Sequence, residues 1–487
     1  MNRKLFRRQW LLIVVAGMIA GGCLPTEYSE WSDDGSVGIM KIEDTLWLVD
    51  DKGQRTTKID EGDGDKIGLY PTIAEDGKMA AYVKAVKYAK LDDLLGALPA
   101  GQVNMVRQAA AEMKAEILRQ GGLKDDWFPT MEFGSLGYGD TEQRDLVIRY
   151  LCEHLDDQLR KMIPVELIEK SRQNEMHLYH LNVVSLKGGE IVNRKTVVRN
   201  LFPVWPPRIS PDNKLLGYLV FNHLIEKDAL IFDLYVASLE EDIPAMLVEK
   251  KVSYGYSWSE DSRMLAYMVQ EDAGAAPIGT LQTTEMADGK GGLLAQLESK
   301  EDTERGCVAT HLGTGTESEL AGIFFNPLMK VEYGPGGRIF FSSGELTAPM
   351  SKIDDELRMS IFCYDPVIKT VTDVLPHKVS SQLGDSIGLF DISPDQKKIL
   401  LPRERHSFLV YEFGSSYASE ALGEEDRFSP GGKEEWRMAP AWRGNEEICC
   451  LVAKEGKIVE GKEVQTDKDY VRVIIMPTGV LIRILEE

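Results

Sequence analysis

Cysteine is scarce: six in 487 residues, at positions 23, 152, 307, 363, 449 and 450, with no Cys-x-x-Cys pair among them. Five remain after Cys23, so neither a disulfide framework nor a thiolate zinc site is indicated, and small buried thiols are expected. Positive charge is short as well. Against 78 acidic residues stand 56 basic ones, a formal net charge of −22. Residues 1–22 hold four of the basic residues and no acidic one, so the remainder carries −26 and repels nucleic acid and anionic headgroups alike. There is no Gly-rich phosphate loop, no Gly-x-Ser-x-Gly elbow and no zinc-protease helix. Histidine is limited to seven positions. His177 and His180, three apart on a strand, would face opposite ways, which argues against joint metal ligation. His154 falls on a helical stripe and reads as a satisfied core residue. The acidic run Asp60 to Asp65 looks like a calcium loop, but counting from Asp63 puts Ala74 where a bidentate Glu is required. No catalytic residue, metal or cofactor is therefore nominated.

What the chain does have is one turn, used repeatedly. In Ile209-Ser210-Pro211-Asp212-Asn213-Lys214 the Ser accepts local backbone hydrogen bonds, Pro fixes φ, Asp suits the third position, and Asn tolerates the positive φ that follows. Further copies are Trp31-Ser32-Asp33-Asp34-Gly35, Ile73-Ala74-Glu75-Asp76-Gly77, Trp258-Ser259-Glu260-Asp261-Ser262, Tyr333-Gly334-Pro335-Gly336-Gly337 and Ile392-Ser393-Pro394-Asp395-Gln396. Trp442-Arg443-Gly444-Asn445 is a degenerate seventh. A large apolar residue precedes every turn. Five residues beyond the fourth position stand Met40, Tyr82, Tyr218, Tyr267 and Leu401, a column expected to pack between neighbouring sheets. Ser342 interrupts it, with Phe341 beside it. Apolar strands ending at turns follow each hairpin, as in Leu46 to Val49, Leu178 to Leu186 and Ile361 to Tyr364. Three or four strands per unit, at a period near forty residues, is the pattern of a propeller blade.

The turns Ser-Pro-Asp-Asn at 210–213 and Ser-Pro-Asp-Gln at 393–396, each after an apolar residue and before Lys, resemble the TolB-type, WD-like β-propeller repeat of bacterial envelope proteins. The resemblance covers most of residues 30 to 487. It implies an all-β, seven-bladed β-propeller, or a six-bladed one if the first and last units complete each other. For function it implies little, since propellers serve as adaptors, lyases, hydrolases and sensors. TolB joins its propeller to an N-terminal α/β domain, whereas here the repeats begin near residue 31. A partner site that depends on that domain is not carried over.

Before the repeats, Arg3, Lys4, Arg7 and Arg8 form a basic n-region, and Trp10 to Ala20 form an apolar run too short to span a bilayer permanently. Ala20-Gly21-Gly22-Cys23 resembles the box cut by lipoprotein signal peptidase, which makes residues 1–22 a signal peptide, Cys23 the lipid attachment site and residues 23–30 a tether. An ordinary secretory signal is the alternative. Arg7-Arg8 also leaves twin-arginine export open. Diacylglyceryl and N-acyl chains on Cys23 would anchor the protein firmly. Leu24 after the Cys, by resemblance to enteric lipoproteins, favours the periplasmic face of the outer membrane.

Turn spacing places the insertions in the propeller of residues 31–487. From Asp34 to Asp76 is 42 residues, whereas from Asp76 to Asp212 is 136. The excess, residues 84–175, is expected to be helical and to lie between the second and third strands of the second blade. One helix runs from an Asn104 cap to Gln120 with Gly121 as its stop, and another opens at Asp140 and Gln143 and is interrupted by Pro164. Between them Trp127, Phe128, Phe133 and Tyr138 form a candidate partner surface, or else seat the helices on the propeller. Residues 270–304 are read as a flexible loop. The functional expectation is a lipid-anchored, non-catalytic protein-interaction scaffold with an envelope protein as partner. Its rival is a carbohydrate-active or glycan-binding, lyase-like propeller using the central funnel.

Overall fold

The computed structural model describes residues 28–485 apart from 123–140, 223–230, 272–277, 287–296, 301–329, 346–357, 380–389, 423–433, 437–440 and several gaps of five residues or fewer. Cys23, Trp127, Phe128, Phe133 and Tyr138 lie outside the described residues. Among the described residues no helix is long and apolar enough to cross a membrane.

The fold is a mostly β propeller with few helices. Seven short or central strands form its inner circle: β1 (Tyr28–Trp31), β2 (Thr72–Ile73), β3 (Val204–Ile209), β4 (Met246–Trp258), β5 (Val331–Tyr333), β6 (Asp391–Ile392) and β7 (Ala441–Arg443). From each the chain turns back into antiparallel strands that step outward, so that most sheets are built from consecutive strands.

The repeated turn is why these segments form hairpins. Ser210, Ser259 and Ser393 donate to the carboxylates of Asp212, Asp261 and Asp395 at 2.6, 2.6 and 2.8 Å. The same hydroxyls accept from the backbone N–H five residues on, at Leu215, Met264 and Lys398. One side chain thus closes both ends of the turn. The fourth position takes positive φ whatever residue stands there: +66° at Gly35, +68° at Gly77, +61° at Asn213, +62° at Ser262 and +58° at Gln396. Beyond the turns, Met40, Tyr82, Tyr218, Tyr267 and Leu401 are all at most 3% exposed, the column the spacing predicts.

Seven separate blades are not what the sheets show. Among the described residues five sheets have four or five strands each, one is a continuous seven-stranded sheet over residues 204–300, and Lys457–Val459 pairs with Lys462–Val464 in a two-stranded sheet. The reason is β4. This strand of 13 residues pairs through Met246 to Val252 with Ile231–Ser238, and through Val252 to Trp258 with Met264–Glu271. It bends at Lys251, at φ +59°, instead of leaving the sheet, so the outer strand of one unit is the inner strand of the next. Nor is 270–304 only a loop, since it supplies strands Ile278–Met286 and Leu297–Lys300 to that sheet.

Helices α1 (Leu91–Ala97), α2 (Ala100–Gln120), α3 (Thr141–His154), α4 (Asp157–Arg160) and α5 (Val165–Gln173) lie between strands Met79–Tyr88 and Met176–Lys187. Gly121 ends α2 at φ +73°, and Pro164 starts α5. Val106, Met113, Ile117, Leu146 and Leu151 pack with Val83, Leu178 and Leu181 of the sheet in one core, so the helices are seated on the propeller by their apolar faces. His154 is exposed and stacks on Tyr150 at 4.4 Å, which corrects its reading as a core residue: it sits in the last turn of α3, beyond the buried stripe.

Candidate functional site

The inner strands enclose a cavity of about 1070 Å³ lined by residues from all seven of them. Alternate residues of a strand point to one face, so counting back two from each turn gives the residues presented to the centre. That position is occupied by Glu30, Thr72, Arg208, Ser257, Glu332, Asp391 and Ala441. Polar groups dominate the circle, and most are held by a neighbouring strand.

Thr72 Oγ1 donates to Glu30 Oε1 at 2.8 Å, tying β2 to β1. The Ser257 hydroxyl accepts from Tyr333 N at 3.0 Å, tying β4 to β5. Lys330, just before β5, sends its ammonium to Glu332 at 2.8 Å and to Asp391 on β6 at 3.1 Å, and lies 5.2 Å from the Phe390 ring centre. Burial disfavours the Lys330 ammonium, but Asp391 and Glu332 outweigh it and hold its pKa above the usual value. Burial pushes Glu332 up, with Asp391 adding to it and Lys330 opposing. One cation between two carboxylates leaves one of them harder to ionise. Arg208 has its guanidinium 5.8 Å from the Tyr256 ring centre.

At the end of the cavity where the inner strands run into their turns, the residue after each turn-opening position forms a second circle. Asp33, Glu75 and Glu260 stand there as carboxylates, with Asp33 and Glu75 on neighbouring units, and Pro211, Pro335, Pro394 and Gly444 hold the other four positions. Glu75 is raised to about 7, first by the protein crowding the mouth and then by Asp33, Glu260 and Asp76. Asp33 is raised too, by burial, then by Asp34 and Asp391. Trp31, Trp258, Tyr333 and Trp442 also line this end. The arrangement suits a ligand or segment that brings positive charge to a rim of carboxylate and aromatic groups.

Elsewhere the residues weighed for chemistry have structural partners. Asp60, from the acidic run, accepts from Tyr82 Oη at 2.6 Å and Lys84 Nζ at 2.9 Å, and also pairs with Arg194. His177 lies 3.5 Å from a Glu175 carboxylate oxygen, and His180 lies 3.5 Å from Tyr88 Oη. Burial lowers the pKa of both rings. Cys152, Cys363 and Cys449 are buried. Among the described residues no three His, Cys, Asp or Glu side chains are grouped to hold a metal ion. The cavity wall itself was not singled out by the sequence, although the turn register contained it: two steps back from each turn suffices.

No protein-family model matches the sequence, and no curated protein matches it. Among solved structures it is similar to TolB from Acinetobacter baumannii, at 13% identity and TM-score 0.35 over 63% of this chain. It spans 60% of that TolB chain. It is similar to oligogalacturonate lyase from Vibrio parahaemolyticus at 11% identity and TM-score 0.39, over 77% of this chain and 72% of that one. For the β-propeller domain of the Trilobed protease from Pyrococcus furiosus the values are 11% and 0.43, over 91% and 95%. The propeller architecture is read from this chain's own sheets and inner circle.

Proposed function

We propose that this chain is a seven-unit, lipid-anchored envelope propeller that binds a partner protein without catalysis, at the carboxylate-lined mouth of its central cavity. The observation that carries the reading is the state of the ionisable groups in the wall. Glu332 and Asp391 share Lys330, and Glu30 holds Thr72. Charges fixed on one another orient and select a ligand. The partner is an envelope protein that presents basic side chains, attracted by Asp33, Glu75 and Glu260 and by the net charge of −22. The seven inner strands support counting seven units, with the seven-stranded sheet taken as two joined at β4. Lipid on Cys23 holds the body at the membrane surface, at the periplasmic face of the outer membrane where the host has one.

The test is affinity capture from detergent-solubilised native envelope, with wild type beside a triple Asp33→Asn, Glu75→Gln, Glu260→Gln variant and a chain lacking residues 84–175. The reading expects one protein retained by wild type and by the deletion, and lost with the triple variant. Loss only with the deletion would move the contact surface to the helices. Capture by none of them would sink the adaptor role. The glycan reading retains one favouring feature, the half-buried phenol of Tyr333 at the mouth, on which a sugar ring can stack. Binding or turnover of envelope polysaccharide by the same wild type, absent from a Tyr333→Ala variant, would establish it instead. Anchoring is tested separately: Cys23→Ser should move the protein from the membrane fraction to the soluble one.

A further inference from the structure

A ring of sheets has to be closed where its last sheet meets its first. Here the first sheet is made of residues 28–61 and the last of residues 434–485, and among the described residues no strand passes from one to the other. Closure at this junction is by side chains.

Other junctions are tied through the inner strands. Trp258 Nε1 donates to the carbonyl of Arg208 at 3.0 Å, and Trp442 Nε1 donates to that of Asp391 at 3.0 Å, each reaching back to the preceding inner strand. Trp31 holds the same register in β1, immediately before the turn, and is 6% exposed. Its Nε1, however, has no hydrogen-bond partner among the described residues. The indole bridge made at two other junctions is not made from β1 to β7.

Arg443 stands in its place. Its guanidinium lies 5.0 Å from the Trp31 ring centre, Nε donates to the Gly35 carbonyl at 3.3 Å, and Nη2 donates to the Asp51 carbonyl. Glu447 steadies it from its own sheet at 3.1 Å. The approach is tight. A Cβ on Gly35 would lie 3.0 Å from Arg443 Cγ and 3.3 Å from Gly444 N, at a φ of +66°. Both flanks of this junction, Glu30, Trp31 and Asp33 on one side and Ala441 and Trp442 on the other, line the central cavity.

We infer that the junction between the first and last sheets is the opening line of the ring and that Arg443 is its latch, so that releasing Arg443 parts the wall of the cavity along its side. The inference does not depend on what the cavity binds. A latch of one planar cation on one indole and two carbonyls can release without disturbing any strand ladder, whereas parting the ring at β4 would break a continuous sheet.

The test is hydrogen–deuterium exchange of the full chain, wild type beside Arg443→Ala, with acrylamide quenching of tryptophan emission read on the same samples. The expected result is a rise of about tenfold or more in exchange at both flanks together, residues 28–42 and 441–454, with residues 204–222 and 339–345 unchanged and quenching increased. Arg443→Lys, which keeps the charge but loses the planar fork, should give a smaller rise, and serves if the alanine variant does not fold. An unchanged rate at the two flanks, or a rise spread evenly over every sheet, would overturn the latch.

Discussion

Replacing Ser259 by alanine removes one oxygen and breaks both closures of a turn. The hydroxyl donates to Asp261 Oδ1 at 2.6 Å and accepts from Met264 N at 2.9 Å, and Ser259 itself is 8% exposed. The first bond is charge-assisted but Asp261 is exposed, so its loss costs about 1 kcal/mol. The second leaves a backbone donor without its acceptor at the start of a central strand, at about 1–2 kcal/mol. Together the expected destabilisation is about 2–3 kcal/mol. Exchange of the Met264 amide should therefore quicken by roughly 30–150-fold, and urea unfolding followed by tryptophan emission should shift to lower denaturant at constant slope. The effect also has a pH signature. The Ser259 hydroxyl is the largest of the causes that hold Asp261 below the ordinary carboxylate value, so the stabilisation is present above about pH 4 and is lost as pH falls through the lower native value. The gap between wild type and variant should then narrow in acid by the share that the Asp261 bond supplies, about 1 kcal/mol, while the share of the Met264 bond persists. A change smaller than about 0.5 kcal/mol, or a gap between the two that persists unchanged at pH 3, would refute the account of the turn as a side-chain-closed unit.

Lys330→Met should destabilise by about 3 kcal/mol or more, since it leaves Glu332 and Asp391 facing each other across β5 and β6, and adding Glu332→Gln should restore part of it in chemical denaturation. Gln396 adopts φ +58°, so Gln396→Gly should stabilise by about 0.5–1 kcal/mol, read as a higher denaturation midpoint, whereas Gln396→Val should do the reverse. Glu75, raised to about 7 in the folded chain against an ordinary 4.5, contributes stability in full below about pH 4.5, and that contribution is lost as pH rises through 7. Thermal midpoints between pH 5 and 8 should fall more steeply for wild type than for Glu75→Gln; parallel curves would show that neither burial nor the neighbouring carboxylates raise it.

The turns were legible because their chemistry is local. Ser, Asp and a residue tolerant of positive φ act within six positions, so Ser210 to Leu215 could be read without knowing what surrounds them. The buried column from Met40 to Leu401 followed from the same register. Non-local features were not legible. Nothing in Met246–Trp258 marks a strand that serves two units, because the division is made by its two partners and not by its own residues. Strand Ile278–Met286 is mostly polar and small, and it is Met264–Glu271 beside it that draws it into the sheet. At the site, the position before each turn drew attention because it is large and apolar, while the mixed set one step earlier, from Glu30 to Asp391, has no common residue type. Its unity is geometric: the members share a direction and not a chemistry. The candidate surface at Trp127, Phe128, Phe133 and Tyr138 lies outside the described residues, whereas the helices beside it turn their apolar faces to the propeller.

The continuous strand β4 also bears on how the chain can be divided. Where neighbouring units are joined by a turn or loop, a cut or a new pair of termini interrupts only a connection, and the sheets on either side keep their own ladders. Between residues 246 and 258 there is no such connection, because the third and fourth units hold opposite halves of one strand. Neither half can complete its sheet without the other, so these two units order together as one cooperative block. Circular permutants that place their ends within that strand would forfeit both sheets at once, and the units this propeller copies in sequence are not all separable in folding.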